Sequence, residues 1–569
     1  MRESMKRDKP ERTNPSREMP EREKPGRDLS EWTLREKIGQ MVMCGFDGKQ
    51  PTDGIRMLIR EYRIGGIIYF RRNVGTAEET ASLSAALQEA AADVSDVPLW
   101  IAVDQEGGMV ARIDRDVAVM PGNMALGAAR DAGLAYETAL ASARDLRRMG
   151  INFNLAPCLD VNNNPANPVI GVRSYGERPE LVAKLGSAAI RGYQAGGVAA
   201  CAKHFPGHGD TVADSHLELP VVPHDPRRLD RVELAPFRAA VEAGVDAVMT
   251  AHVRFPAHED RAIPATLSPR ILTGLLRERL GFSGLIVTDC LEMKAISDTV
   301  GVGRGAVMAV KAGADLVLVS HRPDRQLEAL EALHDAVRRG EIGEARIDDA
   351  VRRILAAKRR RIGAAAGPGR DGDRTGAWPE AAAVARRACE RAVTVVKNEG
   401  GALPLRREWP TLAVWPEVRR STEVDEALRP SLTFGQALGR RGFRVKEIVV
   451  GSQPEPEELA AVLAEVRGGG FRQVVVGTYN AAFAPGQREL VEALLAEAAG
   501  PVVAVALRNP YDLLQFPGVP AYVACYENRP LMMEALAAVL AGDRPAAGRL
   551  PVTLSDAHPF GHGLTGFLK

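Results

Sequence analysis

Between residues 40 and 320 the chain repeats one pattern eight times: a short apolar run, then a longer segment with helical periodicity. The runs are Gln40–Gly45, Gly66–Phe70, Leu99–Val103, Ile151–Ala156, Val198–Ala202, Ala247–Ala251, Leu285–Thr288 and Ala314–Val319. Amphipathic stretches such as Thr76–Ala92, Leu181–Ala195 and Arg227–Ala243 lie between them. Short apolar runs alternating with helices read as parallel strands buried on both faces. The expectation is an α/β protein whose residues 29–362 close into a (β/α)8 barrel of the TIM type. An open doubly wound sheet satisfies the same count. The polar residues favour the barrel: Asp104, Asp160, Lys203 with His204, His252 and Asp289 each sit just past a different run. Barrels assemble their sites from the C-terminal ends of several strands, whereas an open sheet gathers its site at one switch point.

The chain has 569 residues, too many for one core. Arg346–Arg361 reads as the last barrel helix, with Ile347, Val351, Ile354 and Leu355 on one face. Residues 363–378, rich in Gly, Ala and Asp, have the composition of a linker. A second α/β unit is expected over 379–569, with strands near Thr411–Val414, Gln473–Gly477, Val502–Leu507 and Ala521–Cys525. A doubly wound αβα sandwich fits these, and it carries no Gly-rich phosphate loop. Residues 1–28 hold nine Lys/Arg and seven Asp/Glu, with Pro at 10, 15, 20 and 25. Such a segment is expected to be a disordered tail, and it lacks the apolar centre of a secretory signal.

A formal net charge of +1 gives no electrostatic pull toward nucleic acid or an anionic membrane surface, and no run is long enough to cross a bilayer. The six cysteines (44, 158, 201, 290, 389, 525) are scattered without paired spacing, which fits a reducing, cytoplasmic setting.

The chemistry concentrates in Lys203-His204-Phe205-Pro206-Gly207-His208-Gly209-Asp210-Thr211, followed by Asp214-Ser215-His216. Pro206, Gly207 and Gly209 break helix and strand alike, so these groups are expected on a loop. Asp214 beside His216 can orient an imidazole that exchanges protons near neutrality, although a loop His bonded to a capping Asp has the same spacing. Asp289 ends a rigid apolar strand, which suits a nucleophile; a helix N-cap with Glu292 three residues on is the alternative. Asp104, Arg112, Arg173 and Lys203 are candidates for directed hydrogen bonds to sugar hydroxyls. His204 and His208 are spaced i, i+4 as in helical zinc sites, but Pro206 and Gly207 break the helix, and Phe205 stands where a metalloprotease needs Glu. No metal ion and no cofactor are expected.

Taken together, this long motif resembles the signature of the β-N-acetylglucosaminidase branch of family 3 glycoside hydrolases. Asp104-Gln105-Glu106-Gly107-Gly108, Met249-Thr250-Ala251-His252, Thr288-Asp289 with Leu291-Glu292-Met293, Ala392–Glu399 and Pro559–Leu564 agree with it. The resemblance covers about 33–566. It implies a retaining exo-glycosidase in which Asp289 is the nucleophile and His216 the acid/base, with Asp214 as its partner. It places Asp104, Arg112, Arg173, Lys203 and His204 around a terminal N-acetylglucosamine, with His252 among the substrate-contacting candidates. N-acetylglucosaminides and muropeptides from cell-wall recycling are the implied substrates. A β-glucosidase of the same family, whose acid/base normally comes from the second domain, and a phosphorylase remain the alternatives. Met109, Val172 and Cys290 depart from the family pattern without removing a catalytic group.

Overall fold

The computed structural model describes residues 28–362, 379–417 and 431–565. The expected charged tail (but for Asp28) and the expected linker lie outside these ranges.

Eight strands close into a parallel barrel: β1 Val42–Cys44, β2 Gly66–Tyr69, β3 Trp100–Val103, β4 Phe153–Asn154, β5 Ala199–Phe205, β6 Ala247–Thr250, β7 Leu285–Cys290 and β8 Leu316–Val319. Each pairs with its neighbours in sequence, and β8 returns to β1 through Val42↔Val317 and Cys44↔Val319. All eight apolar runs therefore become barrel strands. The intervening helices are capped where the sequence offers it. Thr76 and Glu79 form a capping box at the start of Ala77–Ala92. The stretch read as one helix over Arg227–Ala243 is two, Pro226–Arg231 and Ala235–Glu242. Pro236 sits in the first turn of the second, a position that cannot continue a preceding helix.

Two strand ends differ from the sequence reading. Lys203 and His204 belong to β5, so the loop begins only at Pro206. The β5–β6 register shifts between Ala202 and Phe205. Such a bulge re-aims successive side chains, and here both Lys203 and His204 line the cavity at the barrel mouth. Asp289 and Cys290 likewise lie within β7.

The second domain holds a six-stranded sheet: β9 Thr394–Asn398, β10 Thr411–Glu417, β11 Val445–Gly451, β12 Gln473–Thr478, β13 Val502–Ala506 and β14 Ala521–Ala524, in the order β9-β14-β13-β12-β10-β11. Four of these were legible as strands. β11 was missed because it is an edge strand whose charged residues Lys446 and Glu447 hide its apolar pattern. β9 runs antiparallel to β14, so the sheet is mixed rather than purely parallel.

The two domains share a core. Met109, Met124, Ala125, Ala128 and Val172 of the barrel pack into the apolar cluster of the second sheet. Met109, one of the departures from the family pattern, is thus an apolar contact between the domains.

Candidate active site

A cavity of about 450 Å³ opens at the C-terminal mouth of the barrel. Ile68, Leu155, Met249 and Leu318 contribute its apolar wall, while Asp104, Glu106, Arg112, Arg173, Lys203, His204, His216 and Asp289 supply the polar lining. Among the described residues, every lining group comes from the barrel.

One wall is a buried ion-pair cluster. Lys203 Nζ lies 2.6 Å from Asp104 Oδ1 and 2.7 Å from Glu106 Oε1. Arg173 donates to both oxygens of Glu106, Nε at 3.0 Å and Nη2 at 2.8 Å. Burial alone would raise the Glu106 carboxyl, but Arg173 and Lys203 hold it far below the ordinary range. Burial would likewise weaken Lys203 as a base-bound cation, yet Asp104 and Glu106 keep it charged well past neutrality. Glu106 sits on a two-stranded hairpin, Gln105–Gly107 with Val110–Ala111, and Arg173 ends the short turn Gly171–Arg173. A cluster with every charge matched is rigid, and breaking it would strand a buried charge.

Behind this wall stands Asp160. Its Oδ2 lies 2.7 Å from His204 Nδ1, and its Oδ1 accepts the backbone N–H of His208 at 2.6 Å. Arg173 Nη2 approaches His204 Nε2 at 3.3 Å. Burial opposes ionisation of Asp160, but the charge and hydrogen bond of His204 take it well below the usual carboxylate range.

The acid/base candidate rides on the loop after β5. His216 Nδ1 lies 2.6 Å from Asp214 Oδ1, which also accepts the His216 backbone N–H at 2.9 Å. Asp214 is mostly buried while the His216 side chain is 27% exposed, so the imidazole keeps an open edge. Burial would raise Asp214, yet the hydrogen bond and charge of His216 lower it, leaving a carboxylate beside the ring. His208 staples this loop: its ring contacts Thr211 Oγ1 at 2.9 Å and Ser215 Oγ at 3.0 Å. Burial pushes His208 down to about 4, so it is a neutral ring at working pH.

Across the cavity, Asp289 accepts the Cys290 backbone N–H at 2.7 Å. Burial would raise Asp289, but the nearby His252, His204 and His216 lower it. The N-cap alternative does not form. Glu292 accepts the backbone N–H groups of Ser320, His321 and Arg322 instead, and the short helix Lys294–Ser297 is capped by no side chain.

Of the sequence candidates, Asp104, Arg112, Arg173, Lys203, His204, His216 and Asp289 line the cavity, Asp214 joins it through His216, and His252 stays outside. His252 stands behind Asp289, bonded to Thr266 Oγ1 at 2.8 Å and to the Cys290 carbonyl at 3.0 Å, and it is not among the lining residues. Glu106 and Asp160 had no assigned role in the sequence reading, although they are the acids that hold Arg173, Lys203 and His204. The only local signal was an Asp-x-Glu ahead of a Gly-Gly turn. Arg71, Arg72 and His321, from the ends of β2 and β8, also line the mouth and were not anticipated.

Three donor sets bring ligand atoms within 4.8 Å among the described residues: Cys158/Asp160/His204, Cys290/Glu292/His321 and Asp210/His224/Glu233. In each, internal hydrogen bonds already engage the acid, and Arg228 reaches both acids of the third. His204 and His208 each have both ring nitrogens engaged, so they do not converge on one ion.

Residues 33–357 match the glycosyl hydrolase family 3 N-terminal domain. The chain is 32% identical to beta-hexosaminidase A of Pseudoalteromonas piscicida, over 92% of this chain and 97% of that protein. It is 30% identical to a beta-N-acetylglucosaminidase/beta-glucosidase of Cellulomonas fimi, over 92% and 94% of the two chains. Among solved structures, a family 3 beta-N-acetylglucosaminidase from Paenibacillus sp. str. FPU-7 superposes with a TM-score of 0.88 at 53% identity. That match covers 92% of this chain and 99% of the other.

Proposed function

Because the chain belongs to glycosyl hydrolase family 3, we propose that it is an exo-acting β-N-acetylhexosaminidase releasing terminal β-linked N-acetylglucosamine with retained configuration. One observation carries this reading: the strand-borne carboxylate Asp289 and the His216–Asp214 pair serve one cavity walled by a buried charged cluster. The names of the similar proteins point to the same sugar.

In the first step Asp289 attacks the anomeric carbon while His216 gives its proton to the departing oxygen. The glycosidic bond breaks and a glycosyl ester on Asp289 forms. In the second step His216 takes a proton from water, the water oxygen bonds to the anomeric carbon, and Asp289 leaves as a carboxylate. Asp214 engages Nδ1 and so leaves Nε2 for the leaving oxygen. Asp289 meets the requirement for a nucleophile, since its surroundings favour the anion. Asp104, Arg112, Arg173, Lys203 and His204, which all line the cavity, hold the terminal sugar in this reading.

A glucosidase whose acid/base comes from the second domain fits less well, because the cavity lining among the described residues is drawn from the barrel alone. An uncharged imidazole repels an anionic acceptor less than a carboxylate would, so phosphate is kept as a second acceptor in the assay. Muropeptides are the natural source we propose for the sugar. The cytoplasm is the proposed setting, supported by six cysteines that are all free. No helix among the described residues is long and apolar enough to cross a membrane.

The test is hydrolysis of a chromogenic N-acetylglucosaminide and of a muropeptide, with and without phosphate. Asp289→Asn is expected to lower kcat/KM by about three orders of magnitude or more. Equal turnover by both proteins would remove Asp289 from the reaction.

A further inference from the structure

Among its described residues the second domain contributes no lining group, yet it grips both segments that carry the Glu106–Arg173 pair. Glu527, just past β14, is 2% exposed, and its Oε2 accepts the backbone N–H of Gly122 at 2.8 Å across 405 residues of sequence. The next residue, Asn123, donates its side-chain amide to the Arg173 carbonyl at 2.7 Å. Arg529 Nε donates to the Gly108 carbonyl at 2.9 Å, two residues past Glu106.

The packing leaves no slack. Gly107 and Gly108 turn the hairpin with φ of +94° and +55°, which glycine adopts without strain. A Cβ on Gly108 would lie 2.8 Å from Glu527 Oε2 and 2.7 Å from Gly122 Cα. Gly171, two residues before Arg173, has φ +43°, and a Cβ there would lie 2.5 Å from Asn509 Oδ1 of the second domain. One domain therefore presents the charged pair and the other fixes the backbone on either side of it.

We propose that Glu527 and Arg529 are positioning residues for sugar binding. They set the Glu106–Arg173 register through Gly122–Asn123 and through the Gly107–Gly108 turn, so the second domain supports the sugar site from behind its lining. The inference rests on the N-acetylglucosaminidase reading. Partners that orient metal-ligating residues typically change affinity by about 10- to 100-fold when removed, and the same order is expected here because small misplacements of a charged clamp are costly.

The test uses the full chain. KM and kcat are measured on a chromogenic N-acetylglucosaminide, and the affinity for free N-acetylglucosamine is measured by calorimetry. Glu527→Ala and Arg529→Lys are expected to weaken N-acetylglucosamine binding and raise KM by roughly tenfold or more, with kcat reduced less. Glu527→Gln keeps the acceptor for Gly122 and is expected to return both to within about threefold of wild type. Arg529→Lys keeps the charge and loses the Nε bond, so it serves where Glu527→Ala does not fold. An active wild type matched in affinity by Arg529→Lys overturns this inference alone. A wild type that neither cleaves the substrate nor binds the sugar overturns the functional reading and this inference with it.

Discussion

In the proposed reaction Asp289, as nucleophile, and His216, as acid/base, have opposite requirements, and their surroundings supply them separately. The nucleophile must be an anion, and the neighbouring histidines outweigh burial to keep it one. The acid/base must carry a proton at one nitrogen and be held at the other, which Asp214 does at 2.6 Å. His216→Ala is expected to lower kcat by about 10²- to 10⁴-fold on a substrate with a poor leaving group, and less on a nitrophenyl glycoside whose departure needs no proton. Asp214→Asn should fall between that variant and wild type on the same pair of substrates. A loss independent of leaving group would count against acid catalysis. The dyad was legible in the sequence because its members are two residues apart. Glu106 was not, since its partner Arg173 lies 67 residues away and nothing local marks the pairing.

At the scale of elements, the barrel strands were readable because apolar runs buried on both faces need no partner to announce themselves. The loop after β5 was readable in composition but not in where it starts. The bulge in β5 keeps Lys203 and His204 inside the strand, and a register shift depends on the neighbouring strand rather than on the sequence alone. The turn that follows is packed to contact. A Cβ at Gly209 would overlap the Val161 carbonyl oxygen. Gly209→Ala is therefore expected to destabilise the protein by about 1–3 kcal/mol and to displace His208 and the loop it staples. Urea unfolding midpoints and kcat together check this. A variant with both unchanged would show that the turn has room to move.

Across the whole molecule the two domains behave as one packed body, because barrel residues lie in the second sheet's core and buried polar contacts cross between them. Glu527 makes this junction pH-sensitive. Burial raises its carboxyl to about 7, against the opposing pull of the Gly122 N–H and Arg529, with Cys389 and Cys525 the other titratable groups near it. The unfolded chain releases that proton near the ordinary value, and the folded chain only near 7. Its contribution is therefore fully present below about pH 4.5 and lost as pH rises through 7. Relative to Glu527→Gln, which cannot titrate, the wild type is expected to lose about 3 kcal/mol of stability between those limits. Unfolding free energies of both proteins across that range decide it, and parallel curves would refute the assignment.

The sequence by itself determined eight buried parallel strands placed as a barrel would place them, the existence of a second α/β unit, the nucleophile candidate at a strand end and the Asp214–His216 pair. Each is written in local periodicity or in near neighbours, and burial of apolar runs fixes them whatever lies elsewhere in the chain. Only the tertiary structure decided which acid holds which cation and that His252 stands behind the cavity. It also decided that β5 bulges and that the second sheet has an antiparallel edge. Those outcomes depend on which backbone groups meet when the barrel closes and the second domain docks. Charges carry no record of a partner 67 or 405 residues away until folding brings them into one low-dielectric space.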